Sequence, residues 1–254
     1  MSKNTELATT ETKELATVQS LDMGAMMEEL EGMGPISFEQ VKIPSGGMTA
    51  FSVPGDDPES PDMEKALRGV ICHHQPKNVY FKDPFGASDT KLPDCSSADG
   101  KTGIMTASGA EKSCAACKYN QFGSALDGNG KACQNRIDLY ILREGAAFPI
   151  VLSLPATSIK AFKNYLTGIV LKGKRMYQVE TEITLKKAKS GGGIDYSTCV
   201  FKKLGDVSPE EIAAAADMRD LCKAMAVMSR AAVVDEETGE FVEVTDEKDE
   251  DFPF

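Results

Sequence analysis

Residues 66–81 read "ALRGVICHHQPKNVYF". Apolar, β-branched and aromatic side chains dominate, and no helical period organises them. The run reads as a long strand region, bent near Pro76. Its neighbours extend the same pattern. Upstream, "ISFEQVKI" alternates at Ile36, Phe38, Val41 and Ile43, and "GMTAFSVP" follows a Gly-Gly turn. Downstream, after an interruption, "NRIDLYILRE" and "FPIVLSLP" are two further strand-like runs separated by "EGAA". The period then changes. In "TSIKAFKNYLTGIV", Ile159, Phe162, Tyr165 or Leu166, and Ile169 fall at helical spacing. Strands resume in "RMYQVETEITLKKAK", and "SGGGID" turns the chain into "YSTCVFKKL" to close a hairpin. A last helix opens at Ser208-Pro209-Glu210-Glu211, with Ser208 at the cap, Pro209 at the first helical position and Glu211 at the capping-box position. The Ala- and Met-rich run behind it carries the helix to the region of Ala232.

The fold class expected is mainly β. Five strands with one helix inside their series fit a five-stranded antiparallel barrel, partly open, of the oligonucleotide-binding (OB) type. Other β-barrels fit the same count. The organisation expected is a flexible N-terminal arm over 1–34, an OB-like domain over 35–205 with an insert at 94–134, a helix over 206–233, and a disordered acidic tail over 234–254.

Charge divides along the same lines. The chain of 254 residues has a formal charge of −11. Residues 232–254 carry ten acids and one lysine, and residues 1–34 carry seven acids and two lysines. The centre is therefore slightly basic, and Lys160 to Lys203 holds ten Lys/Arg against three acids. A basic body between acidic ends points to a polyanion on the body and a different partner on the tail. No apolar run approaches the ~20 residues of a membrane span, and "MSKNTELATTETKELATVQS" lacks the apolar core of a secretory signal. A cytoplasmic protein is expected, in which seven cysteines are thiols or metal ligands rather than disulfides.

The interruption between Asp94 and Cys133 concentrates those cysteines. It is long, rich in Gly, Ser and Asp, and poor in apolar residues. It holds Cys95, Cys114, Cys117 and Cys133 in the spacing C-x18-C-x2-C-x15-C. A structureless loop of this length needs something to hold it. Two thiolates on one turn, closed by two flanking ones, suit a tetrahedral structural Zn²⁺ with no open position. A redox C-x-x-C and four unrelated thiols are the competing readings. Cys72, Cys199 and Cys222 sit in apolar sequence and read as structural. His73 and His74 are candidates to replace one ligand. The His-x-Glu and Pro-Cys-x-x-Cys of a zinc deaminase are absent.

The basic residues of the second half are interleaved with aromatics. Lys160 and Lys163 belong to the polar side of the internal helix, and Lys172, Lys174 and Arg175 to its exit. Lys186, Lys187 and Lys189 end one strand of the hairpin, and Lys202 and Lys203 end the other, so a cluster is expected. Tyr177 and Tyr196 lie among them, and Tyr80, Phe81, Phe85, Tyr119 and Phe122 precede them beside Gly, Pro, Lys or Asn. Lysines that neutralise phosphates and rings that stack on unpaired bases are the chemistry of sequence-tolerant single-strand binding. Phe162, Phe201 and Tyr140, at alternating or helical apolar positions, read as core instead.

The chain ends "DEKDEDFPF". Asp251-Phe252-Pro253-Phe254 resembles the C-terminal tip of bacterial single-stranded DNA-binding proteins, an acidic run closed by Asp-Ile-Pro-Phe, with Phe252 in place of Ile. The resemblance implies a docking peptide for replication and recombination proteins. Phe254 supplies an apolar anchor, Pro253 stiffens it, and the acids speed encounter with basic pockets. The body, through "PDCSSADG", "SCAACKYNQFGSALDGNGKAC" and "LPATSIKAFKNYL", resembles bacteriophage proteins with an OB core and an inserted zinc element. The function implied is a phage-type single-stranded DNA-binding protein, not an enzyme. A zinc-ribbon adaptor, an acidic DNA mimic and a strand-annealing recombination protein are the alternatives. Neither paired carboxylates for Mg²⁺, a phosphate loop nor a His-based triad is present, and the chain has two histidines.

Overall fold

The computed structural model describes residues 38–55, 57, 60–83, 92–126, 128, 130–228, 232–234 and 241–243. The arm expected over 1–34, Phe85 and the terminal Asp251–Phe254 lie outside them.

One strand organises the molecule. β4 (Ala66–Tyr80) is 15 residues long, as the run at 66–81 predicts. Its uninterrupted "VIC" at 70–72 is explained by burial on both sides. Leu67 and Ile71 enter the main core, whereas Val70 and Cys72 enter a second one. The irregularity in β4 lies between Ile71 and His73, where the register with its neighbour shifts. At Pro76, where a bend is expected, the pairing runs on without a register shift, Pro76 opposite Ile137. The proline is tolerated because it falls where the second edge of β4 has no strand partner, between the pairings that end at Val70 and begin at Asn78.

Around β4 the sheet grows on both edges. On one, β8 (Gln134–Leu142) pairs antiparallel, then β9 (Ile150–Leu154), and then β1 (Gln40–Val41) in parallel. On the other, the first part of β4 pairs with β10 (Val179–Lys189), which forms a hairpin with β11 (Asp195–Asp206). The helix expected between these halves is α1 (Ala156–Val170). Phe162, Leu139, Ile141, Leu152, Leu154 and Ile183 pack between helix and sheet, all but excluded from solvent.

The sheet therefore has nine strands and one parallel pair, not five strands in an antiparallel barrel. Among the described residues no strand joins β9 to β11. Part of the physical reason lies at Ser158 of α1, whose buried Oγ accepts the Cys199 N–H at 2.9 Å. A helix side chain thus takes up a β11 backbone donor.

β2 (Phe51–Val53) and β3 (Asp62–Glu64) form a separate hairpin, tied to the sheet by the bidentate Arg143–Glu64 pair at 2.9 Å. The last helix, α2 (Pro209–Met228), starts as expected: the Ser208 N–H donates to Glu211 Oε2 at 2.7 Å, and the Glu211 N–H donates to Ser208 Oγ at 3.3 Å. Ala215, Met218 and Cys222 pack on the outer side of β4 with Val70 and Cys72. The helix ends before 233. The acidic segment beyond it is not uniformly irregular, because β12 (Ala232–Val234) pairs with β13 (Phe241–Glu243). Among the described residues no helix is long and apolar enough to cross a membrane.

Candidate nucleic-acid interface and cysteine centre

The insert is not a structureless loop. β5 (Cys95–Ser97), β6 (Thr102–Met105) and β7 (Glu111–Ser113) continue the sheet from the far end of β4 as a meander. These strands read Cys-Ser-Ser, Thr-Gly-Ile-Met and Glu-Lys-Ser, too short and with too few apolar residues for alternation to be legible. A 3-10 turn, Lys118–Asn120, follows the C-x2-C pair.

The fold brings the four insert cysteines to one cavity of about 470 Å³, which Tyr80, Gly103, Lys112 and Tyr119 also line. Gly103 is required there by space. A Cβ at this position would come within 2.9 Å of Cys95 Sγ and 3.5 Å of Cys114 Sγ. Burial, followed by the neighbouring Cys114, Cys117 and Cys95, pushes the Cys133 thiol up to about 12. The same two causes, burial first and then Cys114 and Cys117, raise Cys95. Both Cys95 and Cys133 thus lie close to the C-x2-C pair. Among the described residues, no three His, Cys, Asp or Glu side chains converge tightly enough to form a metal-ligand group.

The cysteine-bearing turns are fixed to the sheet by asparagines that sequence reading misses. Asn135 Nδ2 donates to Asn78 Oδ1 at 2.6 Å and to Asn120 Oδ1 at 2.9 Å. Asn120 Nδ2 donates to the Cys114 carbonyl at 2.9 Å, and Asn78 Nδ2 to the Gly100 carbonyl at 3.1 Å. The backbone closes the same ring: Cys133 N–H to Tyr119 O and Cys114 N–H to Lys101 O, both 2.8 Å. Single asparagines far apart in sequence carry no periodic signal, so only the register of β4 with β8, which pairs Asn78 with Asn135, exposes this network.

The histidines are elsewhere. His73 meets Tyr140 and Gln75, His74 meets Phe162, and neither lines the cysteine cavity. Burial lowers both pKa values. Cys72, Cys199 and Cys222 are buried in the two cores, as their apolar context predicts; burial pushes Cys72 and Cys222 up to about 12 and Cys199 up to about 11.

The cations do not form the single cluster expected. Strand alternation divides them. Lys186 and Lys202 lie on the outer face of the hairpin with Arg68, in register opposite Thr198 and Glu182. Lys187 and Lys189 lie on the other face and pair with Asp195 at 2.7 and 4.0 Å. Lys174 and Lys203 both pair with Asp206, which holds that carboxyl down to about 2. Arg68 and Lys202 share Glu182 at 2.7 and 3.9 Å. Lys160, Lys163, Lys172 and Lys186 are exposed and make no ion pair among the described residues.

The rings also divide. Phe162 is buried, Phe201 packs against it at 5.5 Å, and Tyr140 belongs to the second core, all as expected. Tyr177 is flanked by Arg175 and Arg219 at 5.9 and 5.3 Å from its centroid. Tyr196 and Phe81 are half-buried. Tyr80 and Tyr119 stack on each other, centroids 4.2 Å apart and planes 15° from parallel, with Lys118 over Tyr119 at 4.9 Å. Phe122 is 82% exposed, and Lys131 stands 5.3 Å over it.

No protein-family profile, curated protein or solved structure matches the chain.

Proposed function

We propose that the protein binds single-stranded DNA without strong sequence preference, and that its acidic C-terminal tip recruits replication or recombination proteins. The observation that carries this reading is connectivity. β4 pairs with β8 on one edge and β10 on the other; β9 follows β8; α1 lies between β9 and β10; β11 closes a hairpin on β10. That is the strand order of an OB body, opened between its third and fifth strands. Such bodies hold oligonucleotides on strands two and three and on the loops after the first and fourth strands. Here those loops are the cysteine-bearing insert and the turn 190–194.

The charge distribution supports a backbone-directed grip. Lys160, Lys163, Lys172 and Lys186 are available to phosphates. Lys187, Lys189 and Lys202 keep exposed ammonium groups beside their carboxylates, so an incoming phosphate competes for them. Each phosphate neutralised releases counterions and makes affinity fall with salt. The segment Asp251–Phe254 offers two aromatics behind an acidic run, with the Pro-Phe of the bacterial proteins it resembles.

In the same reading, Cys95, Cys114, Cys117 and Cys133 hold one structural Zn²⁺. The donor chemistry suits the ion, since four sulfurs with no carboxylate or imidazole among them line one cavity, with glycine where two of them approach; they stand apart in this structure and would have to draw together on the metal. Zn²⁺ would bind the cysteines as thiolates, displacing their protons, and would close the insert on the sheet.

The test is a titration with oligo-dT and with duplex of equal length at rising salt. Affinity for the single strand should exceed that for duplex and fall linearly on a log–log plot against salt. Lys172→Glu with Lys186→Glu should weaken binding and flatten that slope. Equal affinity for duplex and single strand refutes the proposal.

A further inference from the structure

We infer that unpaired bases stack on the cysteine-bearing insert, on a platform made by Phe122 and by Tyr119 backed by Tyr80, with Lys131 and Lys118 as its cationic guards. The inference rests on the single-strand reading above and says which part of the molecule meets the bases.

Three observations on the insert converge. First, Phe122 is exposed without being on a frayed loop. Its loop is pinned by Gly123 N–H to Gly130 O at 2.8 Å, by Ser124 Oγ to the Tyr119 and Gln121 carbonyls at 2.8 and 2.6 Å, and by the Ala132 N–H to Ser124 Oγ at 3.0 Å. A single exposed ring is ordinary on a protein surface. One on a hydrogen-bonded loop, three residues along the chain from a stacked ring pair, is less so. Second, Tyr80 and Tyr119 present a pre-stacked pair. The asparagine network and the Cys133–Tyr119 backbone bond fix their geometry to β4 and β8. A ring already ordered loses little conformational freedom when a base arrives. Third, both outward rings carry a lysine within cation–π range. When a base takes the ring face, the ammonium beside it moves to the phosphate of the same nucleotide. The site thereby exchanges one attraction for stacking plus a phosphate contact.

Of the rings expected on the body, Tyr177 is already flanked by two guanidinium groups and Tyr196 is half-buried. Body and insert thus have separate tasks. The lysines of α1 and the hairpin hold the chain of phosphates, and the insert holds the bases.

The chain contains no Trp, so Phe122→Trp supplies a single indole reporter at an exposed position. The variant is titrated with oligo-dT and with an abasic deoxyribose-phosphate oligomer of the same length. Indole emission should be quenched by oligo-dT and not by the abasic oligomer. Tyr119→Ala with Phe122→Ala should weaken oligo-dT binding by roughly fivefold to a hundredfold and leave abasic binding unchanged. Wild-type binding to oligo-dT with unmoved indole emission, or undiminished affinity in the double variant, overturns this inference alone. Failure of the wild-type protein to bind oligo-dT at all removes both it and the reading beneath it.

Discussion

The body and the insert hold together by different means. In the body, α1 and the long strands bury Leu139, Ile141, Leu152, Leu154 and Phe162 in one continuous core. In the insert, three short polar strands bury little. Its order comes from hydrogen bonds among Asn78, Asn120 and Asn135 and from attachment to the end of β4. The contrast teaches that a segment without apolar periodicity is not thereby without structure. It borrows order from a neighbouring sheet and from polar contacts that close its turns.

The comparison breaks most severely at the body. Leu139 is fully buried, and Leu139→Ala should cost about 2–5 kcal/mol. Denaturant unfolding should show one shifted transition that carries the insert with it. The converse does not hold. Cys114→Ser should abolish bound zinc and raise hydrogen exchange across 94–134, while exchange in α1 and β8 stays slow. Zinc retained at wild-type level by elemental analysis disproves the metal site, and exchange that accelerates everywhere disproves the separation of the two regions.

Asn135→Ala sharpens the contrast. It leaves the buried Asn78 Oδ1 without its donor, whereas Asn120 Oδ1 keeps Lys131 Nζ at 3.2 Å, and should cost about 1–3 kcal/mol, read as faster exchange at Tyr119 and Cys133 rather than as a lower global midpoint. Smaller still is the effect of Ser208→Ala, about 1 kcal/mol or less, confined to the first turn of α2 and visible there by exchange.

Protons discriminate in the same way. His73 and His74 belong to the body and have pKa values lowered by burial. Their unfolded forms take up protons first as pH falls below the ordinary histidine value near 6.5. Stability is therefore full above that pH and is lost as pH drops through the lowered folded values. The denaturation midpoint should decline between neutral pH and pH ~5, and His74→Phe should reduce the decline.

The legibility of each region follows its mode of order. β4, β8, β9, α1, the β10–β11 hairpin and the cap at Ser208 were readable because apolar alternation, helical spacing and turn residues mark them directly. The parallel partnership of β1 with β9 was not readable, since two residues carry no register. Nor was the failure to close a barrel, which involves one hydroxyl at Ser158. In the insert, the cysteines stood out by spacing, and the structure gathers them at one cavity. Strands β5 to β7 did not stand out, because Ser, Thr and Lys on both faces give no period. The lysine cluster was overestimated for a local reason. Adjacent lysines at 186–187 and 202–203 point to opposite faces of a strand, and Asp195, counted only among three acids, and Asp206, just beyond the counted stretch, occupy several of them.

Native mass measurement of the full chain, alone, with oligo-dT and with duplex, tests the account most directly. It predicts a free protein heavier than its sequence by one zinc, a complex with oligo-dT that persists at moderate salt, and little or no complex with duplex. A metal-free mass together with equal complexes, or none, on both nucleic acids would contradict it.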